Sequence, residues 1–223
     1  MLDTSKTDIT LGHEVEAYLA SKGQSTPLVK SDLGAKQKIQ KIESLFGEIM
    51  ETLGLDLKDD SLMDSPSRVA KMYVNEVFWG LNPDNFPKCT AIENKMAYDE
   101  MVTVSDIKVM SNCEHHFVVI DGFAHVSYIP NKKVIGLSKI NRIVDYFSRR
   151  PQVQERLTHQ IFHTLCYILD TQDVAVVLDA THYCVKSRGI QDASSRTSTS
   201  KIGGQFKRNP ATRAEFFSQI NNK

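Results

Sequence analysis

The chain has 223 residues, 41% of them hydrophobic and 24% charged, which is the composition of an ordinary globular protein with ample material for a core. Lysine plus arginine equals aspartate plus glutamate at 27 each, so there is no global basic field of the kind that wraps nucleic acid. No apolar run approaches the length of a membrane span, and the N-terminus MLDTSKTDIT carries charges and lacks the apolar core of a secretory signal; a cytoplasmic chain with reduced thiols is expected.

The first hundred residues read as helical. Residues 8–20 are a short helix candidate, ended by the break at 23–27. Ile39, Ile42, Leu45, Phe46, Ile49, Met50 and Leu53 recur at helical spacing and predict a long amphipathic helix that stops at Gly54. Ser65-Pro66 predicts an N-cap followed by proline at the first helical position, opening a helix through Val69, Met72, Tyr73 and Val77. A turn-rich connection follows at 80–87. We expect a helical region over 1–98 and the chemistry-bearing domain over 99–223.

From residue 101 the period changes. Residues 101–110 and 117–129 are rich in Val, Ile, Phe and Tyr and read as two strands, with Cys113 to His116 at the turn between them. Ser138 is the expected N-cap of a helix carrying Ile140, Ile143, Val144 and Phe147. Arg150-Pro151 breaks that helix, and a second is expected over 153–169. Residues 174–183 and 196–205 read as strands, and Asn209-Pro210 caps a C-terminal helix. The order strand, strand, helix, helix, strand, strand implies an α+β domain: a four-stranded antiparallel sheet with two helices on one face. Such a sheet leaves open edges and an uncovered face, which oligomerisation would satisfy.

Chemistry concentrates in Cys113-Glu114-His115-His116 and His182-Tyr183-Cys184. Thiols and imidazoles are the ligands zinc favours. Cys113 and His116 are three apart, a spacing that a turn can fold onto one ion; His182 and Cys184, two apart in a strand, would point to the same face. Three ligands with histidines to spare is the pattern of catalytic zinc, which keeps an open position. A Cys113–Cys184 disulfide is the plain alternative and is disfavoured by a reducing compartment. Cys89 and Cys166 read as packing residues. A closed structural zinc site would recruit His115 or His182 as fourth ligand. A zinc nucleobase deaminase would need His-x-Glu followed by Pro-Cys-x-x-Cys, and neither element is present.

Two further groups accompany the ligands. If Ser138 caps its helix, its hydroxyl, the free backbone N–H groups and Lys139 converge at the positive end of the dipole, with Arg142 one turn on; this suits phosphate, and a capped surface helix is the alternative. Glu155 stands in the first turn of the next helix, where a carboxylate is favourable. Reaching a nucleobase instead, it could accept from both N1–H and the 2-amino group of guanine. Arg188 is open to phosphate contact or loop solvation.

The strings SLMDSPSRVAKMY, CEHHF, GLSKINRIV, RPQVQERLT and THYCVKSRGI occur in the order and spacing of the GTP cyclohydrolase I family, and the chain resembles that family from about residue 38 to about 217. The resemblance implies the tunnelling fold and a toroidal homodecamer of two pentamers with active sites between subunits. It implies Zn2+ on Cys113, His116 and Cys184, with His115, His182 and Ser138 as catalytic residues. Arg68, Ser138, Lys139, Arg142 and Arg188 match its triphosphate contacts, Gln154 and Glu155 its guanine end, and Leu137 is a further substrate-binding position. The implied reaction converts GTP to 7,8-dihydroneopterin triphosphate and formate, the first step of folate and pterin synthesis, with no redox cofactor, nucleic acid or membrane involved. Where the family pattern carries threonines, this chain has Ser194-Ser195-Arg196-Thr197-Ser198-Thr199, which adds the charge of Arg196.

Overall fold

The structure, a computed structural model, describes residues 3–221; residues 1–2 and 222–223, the outer ends of the two expected regions, lie outside the described residues. Ile9–Ser21 forms α1, where the Asp8 carboxylate accepts from the Leu11 N–H and satisfies a donor of the first turn. Gly12 lies so close to the neighbouring loop that an added Cβ would stand 2.1 Å from the Pro83 carbonyl oxygen, so only glycine lets the helix approach this far. Ala35–Thr52 forms α2, and the chain leaves it at Gly54 with φ at +85°, a conformation that suits glycine. Ser65–Met72 forms α3. Asp64 holds its N-cap position, so Ser65 is the first helical residue and not the cap expected from the sequence. One π-helical turn, Tyr73–Val77, continues it.

The remainder runs β1 (Ile92–Glu93), β2 (Val102–Cys113), β3 (Val119–Tyr128), β4 (Lys133–Val134), α4 (Leu137–Ser148), β5 (Pro151–Gln152), α5 (Gln154–Leu169), β6 (Val174–His182), α6 (Tyr183–Lys186), β7 (Thr197–Ile202), α7 (Gly204–Arg208) and α8 (Pro210–Asn221). The main sheet has the order β5-β2-β3-β6-β7. Its four long strands are antiparallel neighbours, as the alternating Val/Ile pattern predicts. The fifth strand was not anticipated: Pro151 and Gln152, read only as a helix break, pair in parallel with Asn112 and Cys113.

Alternation decides the faces. Val109, Ala124, Val126, Val176 and Leu178 meet Ile140, Ile143, Val144, Phe147, Leu157, Ile161 and Leu165 of α4 and α5 in one core, which α1 joins through Val15 and Leu19. The opposite face is partly covered as well: Ala175 and Val177 pack with Phe206, Phe216 and Ile220 of α7 and α8. The C-terminal helix starts where expected, with the Asn209 side chain accepting from the Ala211 N–H.

Two expectations about the chemical segments need correction. Gly136, not Ser138, occupies the N-cap of α4, so Ser138 lies inside the first turn and its hydroxyl does not cap the helix. The strand carrying His182 ends there, because its partner β3 begins at Val119 and the last pairing is Ile120 with His182. Tyr183–Lys186 then coils into a helical turn closed by Ser187 N–H to the Tyr183 carbonyl, so Cys184 does not share a strand face with His182.

Candidate functional site

Cys113, His116 and Cys184 meet despite that correction. Their ligating atoms all lie within 4.8 Å of one another, the only such group of three or more among the described residues. Cys113 ends β2, buried with Ile120 and Ala180, on the helix-covered face beyond the end of the main core. The turn after it is held by Cys113 N–H to the Val118 carbonyl and Phe117 N–H to the Cys113 carbonyl, both 2.8 Å, with Phe117 at φ +56°. This brings the exposed His116 ring back over the sulfur while Cys184 arrives on the α6 turn.

Four side chains of one network fix the turn from behind. Glu114 donates its backbone N–H to the Gln152 carbonyl at 3.0 Å, and its carboxylate pairs with Arg156. Arg156 also donates to Gln152 Oε1 at 3.2 Å, and the Gln152 amide donates to the Phe147 carbonyl and to Gln160 Oε1, each 2.8 Å. Sequence reading assigned no role to Glu114, Gln152 or Arg156. The available signal was charge complementarity between two segments already singled out, Glu114 in one and Arg156 in the other.

The sulfur pair is chemically unfinished. Burial raises the Cys184 thiol pKa, and its hydrogen bond with Cys113 and the charge of that second sulfur raise it further. A divalent cation held by Cys113 and Cys184 would reverse that sign and favour the thiolates. Two thiols and an imidazole therefore fit a borderline-soft metal ion, with neither His115 nor His182 in the ligand group. His115 stays exposed, its Nδ1 3.7 Å from the Cys113 sulfur.

Around the ligands stand the groups expected at the base end of a substrate. His182 Nε2 is 2.7 Å from Gln154 Oε1. Burial lowers the His182 pKa, and the nearby Glu155 charge opposes that. Glu155 is exposed at the start of α5, next to the fully enclosed Gln154. Arg188 donates to His116 Nε2 at 2.7 Å, which puts a guanidinium beside the ligand group.

The remaining candidates lie elsewhere in the chain. Leu137, Ser138, Lys139 and Arg142 begin α4, beside Cys89, whose thiol meets the Lys139 carbonyl, and beside the Ile135 N–H that donates to the Tyr128 hydroxyl. Tyr128 and Ile120 are at opposite ends of β3, so this helix start and the cysteine group are separated by roughly 25 Å of strand. Arg68 is held in an exposed pair with Asp64 at 3.4 Å. Cys89 and Cys166 are buried, and burial pushes both thiols up to about 12, consistent with inert packing residues.

Fold and site together define an α+β protein with two thiols and one imidazole placed to hold a metal ion at the end of an antiparallel sheet. A family model for GTP cyclohydrolase I matches residues 42–221. GTP cyclohydrolase 1 of Aeromonas salmonicida (strain A449) is 61% identical over 202 residues, covering 91% of this chain and 93% of that protein. The Shewanella loihica (strain PV-4) protein of the same name is 57% identical, covering 92% of this chain and 96% of that protein. A solved structure of the archaeosine synthase QueF-Like, in the apo form, overlaps 47% of this chain and 94% of that chain with a TM-score of 0.39 and 17% identity, too little to identify a shared fold. The chain belongs to the GTP cyclohydrolase I family, and it is an enzyme, a hydrolase of that family.

Proposed function

We propose that the chain converts GTP to 7,8-dihydroneopterin triphosphate and formate, with one zinc ion on Cys113, His116 and Cys184. The observation that carries this reading is the meeting of those three ligands beside His182 and Glu155, in a chain of this family. When bound, zinc supplies Lewis acidity and makes water acidic enough to ionise near neutral pH.

The chain's own residues do the rest. Glu155 accepts from the N1–H and 2-amino group of guanine and orients the base, with Gln154 behind it. His182 gives a proton to purine N7 as C8 is hydrated, and the exposed His115 passes protons between site and solvent. The imidazole ring opens, a second hydrolysis releases C8 as formate, and the ribose rearranges before the new ring closes. Ser138, Lys139, Arg142, Arg188 and Arg68, with Leu137 beside them, hold the triphosphate. No bond in the triphosphate breaks, so its binding energy serves to position the base.

The strand length between the α4 start and the metal group supports a site assembled from more than one copy. We accordingly propose the tunnelling fold and a toroidal decamer of two pentamers, with residues 1–98 as a helical region and 99–223 as the catalytic domain. No helix among the described residues is long and apolar enough to cross a membrane, which accords with a cytoplasmic enzyme at the first step of folate and pterin synthesis. The test is direct: zinc-loaded protein with GTP should release formate and give a product that fluoresces as a pterin after oxidation. Cleavage of GTP to GDP without formate would overturn the reading.

A further inference from the structure

Gln154 is 1% exposed, and its side chain is fully committed. The amide nitrogen donates to two main-chain carbonyls, Leu178 on β6 at 3.0 Å and Thr197 on β7 at 2.8 Å. The amide oxygen faces His182 Nε2 at 2.7 Å. A side-chain amide can be built in either of two orientations, but here chemistry chooses. Two carbonyl oxygens can be met only by N–H groups, so the NH2 end must face the strands. The end facing His182 is then an oxygen, which accepts and cannot donate. A contact of 2.7 Å between that oxygen and a bare ring nitrogen would be two lone pairs in opposition, so Nε2 carries a hydrogen.

We infer that Gln154 is a positioning residue whose buried amide locks His182 as the Nε2–H tautomer, so that Nδ1 is the nitrogen the ring presents to a substrate. The lock is stiff because the amide is anchored to two adjacent strands of the sheet, and Thr158 Oγ1 donates to the Gln154 carbonyl at 2.8 Å in the first turn of α5. The ring can neither flip nor exchange tautomer without breaking the charge-free network of Leu178, Thr197 and Gln154. The same commitment leaves the Gln154 amide nothing to offer guanine and assigns recognition of the base to Glu155. The tautomer follows from hydrogen-bond geometry; its part in turnover rests on the GTP reading above.

The test uses zinc-loaded wild-type protein labelled with 15N at histidine alone. Solid-state 15N spectra at about pH 9, where an imidazole is neutral, distinguish a ring nitrogen bearing hydrogen from a bare one. The His182 signals are identified by their absence from His182→Gln. Protonated Nε2 with bare Nδ1 is the expected result; bare Nε2 with protonated Nδ1 overturns the proposal. In Gln154→Met the His182 tautomers should mix, and kcat for formate release should fall about 10–100-fold, the range for removing a partner that orients a functional histidine. KM for GTP should barely move. A raised KM with an unchanged His182 spectrum would return Gln154 to the guanine contact. If wild-type protein releases no formate from GTP, the functional reading fails while the spectrum still decides the tautomer.

Discussion

Replacing Arg150 by methionine should cost the fold about 3 kcal/mol, the low end of the penalty for breaking a buried ion pair. Arg150 is 0% exposed and the largest fully buried side chain among the described residues. Its guanidinium donates to Thr26 Oγ1 and Glu16 Oε1, each at 3.0 Å, and to the Gly80 carbonyl, and lies 4.7 Å and 4.9 Å from the Tyr146 and Phe147 ring centres. One ion thus ties α1, the 24–26 segment and the Gly80 turn to the end of α4. Methionine fills most of the volume but leaves the Gly80 carbonyl without its donor and the Glu16 carboxylate with only the Tyr146 hydroxyl, at 3.4 Å. The loss stays at the low end because the Glu16 side chain is 23% exposed, so water can reach its carboxylate, and because the unpartnered Arg150 Nε disappears with the substitution. Urea unfolding at fixed protein concentration reads the change, since association would otherwise shift the midpoint. Glu16→Gln, measured alone and with Arg150→Met, isolates the pair. A loss below about 1 kcal/mol in Arg150→Met would refute the claim that this ion holds the N-terminal segments to the sheet.

Three other substitutions probe different links. Arg142→Ala should weaken GTP by about 1.5–3 kcal/mol and guanosine hardly at all, read by calorimetric titration of both ligands; equal losses would exclude a triphosphate role. His182→Ala should keep its zinc and bind GTP while formate release falls about 10²–10⁴-fold; a metal-depleted variant would make His182 a ligand instead. Burial, then the Lys201 charge, lowers the His163 pKa to about 4 from 6.5, so the unfolded chain binds more protons between those values. Stability should therefore decline as pH drops from 6.5 towards 4. His163→Gln should flatten that decline by about 1 kcal/mol, the shift being discounted for the ring's partial exposure. An unchanged slope in denaturation midpoints across that range would count against it.

Much of the fold was legible because local signals agreed with tertiary ones. The short helix near 8–20, the α2 stripe ending at Gly54, the Val/Ile alternation of β2, β3 and β6 and Asn209 before Pro210 each appear where periodicity and capping put them. The failures occur where a non-local partner decides. Ser138 is a good cap by type, but the chain is already extended at Gly136 with ψ at 136°, and the helix starts two residues early. Cys184 leaves the strand because β3 offers no residue before Val119 to pair with. Pro151 and Gln152 form a strand only because Asn112 and Cys113 lie beside them. Within the site, residue type and spacing singled out the Cys113–His116 and His182–Cys184 segments, and the family resemblance narrowed them to the three residues that the fold brings together. The Glu114–Arg156–Gln152 brace and the Gln154–His182 contact could not be read in this way, since each depends on contacts between segments 28 or more residues apart.

The central claim is a zinc-dependent hydrolysis of GTP at Cys113, His116 and Cys184, and one paired measurement tests it: zinc content and formate release on the same preparations of wild type and Cys184→Ser. Wild type should carry about one zinc per chain and release formate from GTP, and the variant should lose both. Full zinc occupancy with undiminished formate release in Cys184→Ser would contradict the account.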